Sequence, residues 1–173
     1  MKLKDLLSFS CKELHTLYAV KEEIGRGGFG VVYAAKRKSD GVEVAIKEVS
    51  KDIDTLTEDN VPLEVALMQR VNDVPGVIKL ITYFDTSDKF YVVMERFNCK
   101  DLFDFITDQG PMPEHMTREL FMQLVDTVIK CHGKGVVHMR MRMYCVKLTD
   151  KVTPHIDKSD ENANLVLISP ENG

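Results

Sequence analysis

A glycine-rich segment near the N-terminus has the spacing of a phosphate-binding loop. Its residues are Gly25, Arg26, Gly27, Gly28, Phe29 and Gly30, followed by Val31-Val32. The same G-x-G-x-x-G spacing opens a helix in dinucleotide-binding folds, and a glycine-rich surface turn is the plain alternative. Here a β-rich run and an Asp40-Gly41 hairpin signal follow, so we expect a flap between two strands that lies over phosphates.

A lysine follows this loop on a strand of apolar residues. Lys47 comes after Val44-Ala45-Ile46, 17 residues beyond Gly30. A lysine among apolar neighbours needs a partner for its charge, and Glu64 is the natural one. A lysine on a strand is otherwise usually a solvated edge residue. Its combination with the glycine loop favours a lysine that is held by a carboxylate and binds the α- and β-phosphates of ATP.

The elements that must position these residues change in type along the chain. Strands are predicted over 18–20, 31–35, 42–49, 77–84 and 89–94, and helices over 6–17, 56–71, 102–107 and 117–132. The helix over 117–132 places six apolar residues on one face: Leu120, Phe121, Leu124, Val125, Val128 and Ile129. The pattern therefore predicts a mostly β part up to residue 95 and a mostly α part after it.

These features resemble the N-lobe of a eukaryotic protein kinase, and the closer similarity is to the Pim family of serine/threonine kinases. Further residues that carry the likeness are VPLEV at 61–65, DLFDFIT at 101–107 and DEN at 160–162. The resemblance runs from residue 18 to 137. It implies an α+β, protein-kinase-like fold with a five-stranded antiparallel N-lobe, one main helix and the first helices of an incomplete α-helical C-lobe.

The resemblance also implies domain boundaries and a nucleotide site. Residues 1–17 form a lead-in, 18–95 the N-lobe, and 96–173 the hinge and partial C-lobe. Met94 would be the gatekeeper and Glu95 to Phe97 the hinge facing adenine. The apolar adenine pocket would contain Val32, Ala45 and Leu165. Pim kinases have a proline where this chain has Phe97, and the hinge here is one residue shorter; Phe97 keeps a backbone N–H that proline lacks.

The catalytic loop departs from the family pattern. His138 is followed by Met139 and Arg140 rather than by the Arg-Asp of H-R-D, and a second candidate begins at His155. There Asp157 and Asn162 keep the five-residue separation of the catalytic base and the metal-binding asparagine. Removing residues 139–155 would join His138 to Ile156-Asp157. We interpret these 17 residues as an insertion; a tolerated surface loop is the alternative.

A metal-binding D-F-G motif does not occur in the 173 residues. Eleven residues follow Asn162, and none of them is aspartate. We therefore expect the chain to be truncated before D-F-G and the activation segment. The resemblance implies ATP and Mg²⁺ as cofactors, and Asn162 alone would be a poor substitute for the aspartate that holds the ion. Phosphoryl transfer by this chain is expected to be impaired.

Three acidic residues match positions where Pim kinases recognise basic residues near the phosphorylated Ser or Thr. They are Asp101, Asp104 and Glu161. Complementary charge makes this role reasonable. Asp101 is also well placed to cap a helix, which is its structural alternative.

Composition excludes several classes of function. The 27 acidic and 23 basic residues give a net charge of −4, which argues against binding nucleic acid through bulk charge. The four cysteines are widely spaced without zinc-ligand spacing, and no apolar run exceeds five residues. We expect a reduced, cytoplasmic protein, nuclear as well in some settings, that acts as a monomer without nucleic-acid or membrane partners.

Three hypotheses follow from these residues. The first is an ATP-dependent Ser/Thr kinase of Pim type, in which Lys47 and Glu64 position the phosphates and Asp157 orients the substrate hydroxyl. The second is a nucleotide-binding pseudokinase or scaffold. The third is a kinase fragment that does not fold stably, because the apolar face of the helix over 117–132 would stay uncovered.

Overall fold

The computed structural model describes residues 8–9, 11–27, 30–51, 61–96, 107 and 110–137. Its strands are β1 (Ser8–Phe9), β2 (Tyr18–Gly27), β3 (Gly30–Arg37), β4 (Glu43–Ser50), β5 (Leu80–Asp85) and β6 (Lys89–Glu95). Its helices are α1 (Cys11–Leu17), α2 (Leu63–Arg70) and α3 (Glu114–Gly133). None of these three helices is long and apolar enough to cross a membrane.

One sheet contains all six described strands, in the order β1-β5-β6-β4-β3-β2. Strands β2 to β6 pair in antiparallel fashion, and β1 adds to the β5 edge in parallel. The predicted five-stranded antiparallel sheet is therefore confirmed. The sequence did not predict the sixth strand.

Two compact units divide the described chain. The first contains residues up to Gln69 together with Lys79–Arg96, and therefore includes the whole sheet. The second contains Arg70–Ile78 and the described residues after Arg96, including α3. The boundary predicted after residue 95 stays a prediction, and the grouping of residues 70–78 with the second unit was not predicted.

One core cluster of the first unit lies on one face of the sheet. Its buried members are Leu14, Tyr18, Ala35, Val44, Ile46, Phe84 and Val93. Tyr18 and Phe84 meet edge to face, with ring centroids 6.0 Å apart. Burial raises the pKa of the Tyr18 hydroxyl above its ordinary value. Strand β4 is buried on both faces from Val44 to Lys47, as a central strand with neighbours on each side requires.

The β3–β4 hairpin turns at the predicted Asp40-Gly41. Gly41 has φ of +76°, a conformation that glycine adopts without steric penalty. Asp40 accepts hydrogen bonds from Nε of Arg37 at 2.9 and 3.0 Å and from the N–H of Val42 at 3.1 Å. These bonds, above all the one from Arg37, hold the pKa of Asp40 below its usual value.

Two predicted elements near the first unit begin later than expected. The helix predicted over 6–17 begins at Cys11, because the backbone of Ser8–Phe9 pairs with β5 instead. The strand predicted over 77–84 begins at Leu80. Residues 74–77 form a turn, in which Val77 N–H donates to Val74 O at 3.3 Å and Gly76 has φ of +88°.

This turn packs closely against α3 within the second unit. The hydroxyl of Thr127 lies 2.9 Å from the carbonyl oxygen of Gln123, its nearer acceptor, and 3.3 Å from that of Pro75. A Cβ added at Gly76 would lie 2.5 Å from that hydroxyl oxygen, so the contact requires glycine. Lys134 also pairs with Asp73 at 2.6 and 2.8 Å, which lowers the pKa of the Asp73 carboxyl.

Helix α3 is longer than predicted, and its apolar face is only partly buried. It begins at Glu114, directly after Pro113, whose carbonyl accepts the N–H of Thr117 at 3.1 Å. Leu120 is buried, whereas Phe121 and Ile129 are 61% and 62% exposed. The six residues predicted to share one apolar face therefore range from buried to exposed, in line with the expectation that this face stays partly uncovered. The first part of the helix predicted over 56–71 and nearly all of that over 102–107 lie outside the described residues.

Candidate active site

Lys47 is a buried lysine on the central strand β4. Its side chain is 3% exposed, and its Nζ donates to both carboxylate oxygens of Glu64 at 2.8 Å. A charge removed from water in this way is stable only with a partner, and a carboxylate that accepts with both oxygens satisfies it well. The ion pair that the sequence predicts between a strand lysine and a helix glutamate is therefore present.

Helix α2 places Glu64 in its first turn. The carbonyl of Pro62 accepts the N–H of Ala66 at 3.0 Å and so begins the helix. Val65, the next residue, is fully buried and anchors this turn in the core. A carboxylate near a helix N-terminus is favoured by the helix dipole. Glu64 is one-third exposed, so this side of the ion pair is open to water.

The register of the sheet gathers the predicted nucleotide-binding residues onto one face. Directly opposed residues in antiparallel strands share a face, as do residues two apart along a strand. One cross-strand row is Gly25, Val32, Lys47, Val92 and Tyr83. The adjacent row is Ala34, Ala45, Met94 and Leu80. The face that carries Lys47 is therefore the one opposite the Tyr18 and Phe84 core.

The glycine loop joins two paired strands, as predicted, and does not open a helix. Gly27 ends β2 opposite Gly30, which begins β3. Gly30 has φ of +132°, and a Cβ there would lie 1.9 Å from the carbonyl oxygen of Glu48 on β4. Glycine is therefore required at the point where the loop returns across the sheet. Gly28 and Phe29 lie outside the described residues.

Arg26 belongs to this loop, but its strand position is on the opposite face. It pairs with Val31, which in turn pairs with Glu48, the neighbour of Lys47. Its Nε and Nη2 donate to the two carboxylate oxygens of Glu23 at 2.9 and 2.6 Å. This contact lowers the pKa of Glu23. A contact of Arg26 with a ligand on the Lys47 face would therefore use its backbone and not its guanidinium.

Met94 and Glu95 end β6, where the sequence predicts a gatekeeper and the start of a hinge. Met94 is 3% exposed. The N–H of Glu95 donates to the carbonyl of Lys79 at 3.0 Å, and the N–H of Lys79 donates to a Glu95 carboxylate oxygen at 2.9 Å. This reciprocal pair fixes the end of β6 against the start of β5.

Ile24 is a further apolar residue beside the glycine loop, and sequence analysis did not single it out. It lies at an irregularity of β2, between Glu23, which pairs with Tyr33, and Gly25, which pairs with Val32. Its side chain is 40% exposed. The signal that could have identified it is an apolar residue directly before the first glycine of the motif.

Several predicted site residues lie outside the described part of the chain. They are Gly28, Phe29, Phe97, Asp101, Asp104, Asp157, Glu161, Asn162 and Leu165. Among the described residues no group of three or more His, Cys, Asp or Glu side chains could hold a metal ion. The described residues alone therefore do not form a Mg²⁺ site, and the chemistry they support is the binding of phosphates by Lys47 and the glycine loop.

Comparison with known families agrees with this geometry. The family model described as the protein kinase domain matches residues 18–146. The chain belongs to the protein kinase family. Members of this family bind ATP between the glycine loop, the strand lysine and the hinge, and generally use Mg²⁺.

Individual relatives are serine/threonine kinases. The kinase-domain chain is 39% identical to serine/threonine-protein kinase prk-2 of Caenorhabditis elegans, over 72% of this chain and 30% of that protein. It is 37% identical to serine/threonine-protein kinase pim-2 of Danio rerio, over 70% of this chain and 44% of that protein. The chain is 35% identical to myosin light chain kinase A of Dictyostelium discoideum, over 75% of this chain and 44% of that protein. The chain thus spans less than half the length of these relatives.

Proposed function

We propose that this chain is an ATP-binding serine/threonine kinase domain of Pim type, which transfers the γ-phosphoryl group of ATP to protein Ser or Thr in a basic sequence context. The observation that carries the proposal is the buried Lys47–Glu64 ion pair on the sheet face that also holds Val32, Ala45 and Met94. A lysine fixed by a carboxylate beside a glycine loop suits the α- and β-phosphates of a nucleotide.

Each residue on this face has a distinct proposed role. Lys47 neutralises phosphate charge, and Glu64 keeps its ammonium in place. The backbone of the glycine loop covers the phosphates. Val32, Ala45 and Met94 offer an apolar surface to adenine, and the exposed Ile24 extends that surface at the loop.

The resemblance to kinases supplies the remaining proposed roles. Leu165 completes the adenine pocket, and Glu95 to Phe97 provide backbone hydrogen bonds to adenine. Asp157 orients the substrate hydroxyl. Asn162 is the proposed Mg²⁺ ligand, and this ion neutralises phosphate charge when it is bound.

Two observations support the Pim type and the basic substrate context. Relatives named prk-2 and pim-2 are 39% and 37% identical to this chain. The acidic residues Asp101, Asp104 and Glu161 would complement basic residues of a substrate.

Thermal unfolding with added ATP tests the nucleotide site. A ligand that binds only the folded state stabilises it by RT ln(1 + [L]/Kd), about 1.4 kcal/mol at ten times Kd, which raises Tm by about 3 to 6 °C. We expect this shift for the wild type and its loss in Lys47→Met. Lys89→Met is the matched control, since Lys89 pairs with Glu48, which is on the other face of the sheet. A wild type with a cooperative transition and no shift at millimolar ATP would overturn the proposal.

A catalytically inactive pseudokinase is the second candidate, and the catalytic loop favours it. Met139 and Arg140 follow His138 where kinases have Arg-Asp, and Ile156 replaces the arginine before Asp157. Phosphate transfer from radiolabelled ATP to a basic Ser-containing peptide separates the two candidates. Transfer above that of the Asp157→Asn variant supports the kinase, and equal background transfer with an intact ATP-induced Tm shift supports the pseudokinase.

A further inference from the structure

A short strand and a helix that precede the kinase-domain match belong to the first unit, and the strand pairs with the sheet. The match begins at Tyr18, whereas β1 and α1 span residues 8–17. The backbone of β1 pairs in parallel with β5, with Ser8 opposite Tyr83 and Phe9 opposite Phe84. An exposed sheet edge offers unpaired N–H and C=O groups, and β1 covers part of this one.

Helix α1 has a deeply buried side chain, Leu14. Leu14 is 1% exposed and belongs to the core cluster that contains Val44, Ile46 and Phe84. Leu17, on the same helix, is 44% exposed. The helix has seven residues, too short to be stable in water by itself, so its packing against the sheet determines whether it forms.

A lysine in the β3–β4 turn holds the C-terminal end of α1. The Nζ of Lys38 donates to the carbonyl of His15 at 2.6 Å, and its N–H donates to the carbonyl of Leu17 at 2.9 Å. The last carbonyls of a helix have no partner within the helix, and a positive charge near them is favourable. Lys38 therefore supplies both hydrogen bonds and charge to this end.

The residues that receive α1 lie directly behind the candidate active site. Val44 and Ile46 pack in the core with Leu14, whereas Ala45 and Lys47, which alternate with them on β4, occupy the other face. Tyr83, the partner of Ser8, is in the same cross-strand row as Lys47. The segment over residues 8–17 thus pairs with β5 and shares one core cluster with the back of β4, the strand that presents Lys47.

We propose that residues 8–17 are an N-terminal clamp, a positioning element that holds β4 so that Lys47 stays paired with Glu64. Its consequence for nucleotide affinity rests on the proposed function. Release of the clamp leaves the back of β4 without Leu14, and the strand that carries Lys47 then opens more often.

Chemical labelling of Lys47 in the whole 173-residue chain tests the clamp without a nucleotide. A buried, ion-paired lysine reacts with an acylating reagent only when the site opens, and mass spectrometry measures the rate at that residue. We expect Leu14→Ala to speed the labelling of Lys47 and amide exchange in β4 by about tenfold or more. Leu17→Ala, on the exposed side of α1, should leave both rates unchanged. Lys38→Met is the milder variant if Leu14→Ala fails to fold, with an expected increase of about threefold.

Loss of general stability must be distinguished from loss of positioning. Leu120→Ala removes a buried leucine from α3, in the other unit, and should lower Tm without accelerating Lys47 labelling. Wild-type rates in Leu14→Ala and Lys38→Met, or an equal increase in Leu120→Ala, would overturn the clamp. If ATP does not slow the labelling of Lys47 in the wild type any further, the result counts against nucleotide binding but not against the clamp. The comparison of variants still decides the clamp.

Discussion

The Lys47–Glu64 ion pair should respond asymmetrically to the removal of its two charges. Glu64→Gln keeps the shape of the side chain and leaves the Lys47 ammonium, 3% exposed, without its carboxylate partner. Lys47→Met removes the buried charge and leaves a carboxylate that is 34% exposed and therefore hydrated. We expect the first variant to lower the free energy of unfolding more than the second.

The burial of the two side chains sets the size of the effect. Breaking a fully buried pair costs about 3 to 5 kcal/mol, and an exposed pair contributes about 0 to 1 kcal/mol. With one partner buried and one partly open, we expect about 2 kcal/mol for Glu64→Gln. Lys47→Met should lie within about 1 kcal/mol of the wild type, because a buried charge is replaced by an apolar chain of similar volume.

Urea unfolding followed by far-ultraviolet circular dichroism measures these differences, with the slope of the transition checked for each variant. Glu48→Gln is the matched control, since Glu48 pairs with Lys89 at 2.7 Å and both side chains are partly exposed. It should lose less than about 1 kcal/mol. The reasoning is refuted if Lys47→Met is as destabilising as Glu64→Gln, or if Glu64→Gln is no worse than Glu48→Gln.

Three further substitutions test local geometry. Gly30→Ala should lower stability by about 2 kcal/mol or more in urea unfolding, because its Cβ would overlap a carbonyl oxygen of β4; a cost below about 0.5 kcal/mol would contradict the described loop. Gly76→Ala should lower Tm by several degrees, because it forces the turn away from the hydroxyl of Thr127, and an unchanged Tm would show that this contact is absent. Arg37 lowers the pKa of Asp40 in the folded state. The Asp40 carboxylate therefore stabilises the folded state above its unfolded pKa of about 3.9, and this stabilisation is lost as pH falls through the lower folded pKa. The Tm difference between wild type and Asp40→Asn should therefore shrink between about pH 6 and about pH 3, and a constant difference would contradict it.

Local signals were enough to predict the centre of the site. The apolar run before Lys47 and the presence of Glu64 in the next predicted helix predicted their pairing, because a buried ammonium has few alternatives. The Asp40-Gly41 turn and the antiparallel pairing of the first three strands of the N-lobe also followed from short-range patterns, whereas the full five-stranded sheet was implied by the resemblance to protein kinases. The catalytic and metal-binding roles of Asp157 and Asn162 stay predictions.

Other features depend on contacts between residues far apart in sequence. A strand of two residues, Ser8–Phe9, has no periodicity of its own, and its pairing exists only because β5 offers a free edge. Residues 74–77 form a turn instead of the start of β5, and Gly76 in that turn lies against Thr127 of α3, far along the chain. The glycine motif predicts a phosphate-binding loop but not the face on which Arg26 lies, which is set by the register of β2 with β3.

The far edge of the sheet has a consequence for how copies of this chain meet. Strand β2 is ten residues long, and a regular edge of that length would be a template for another strand. Its pairing with β3 is irregular on both sides of Glu23, and exposed Lys21, Glu22 and Glu23 lie along it. A neighbouring molecule that added a strand here would have to match a bent ladder and displace water from charged side chains. The irregular pairing of β2 beside the glycine loop thus also disfavours edge-to-edge aggregation of the sheet at high concentration.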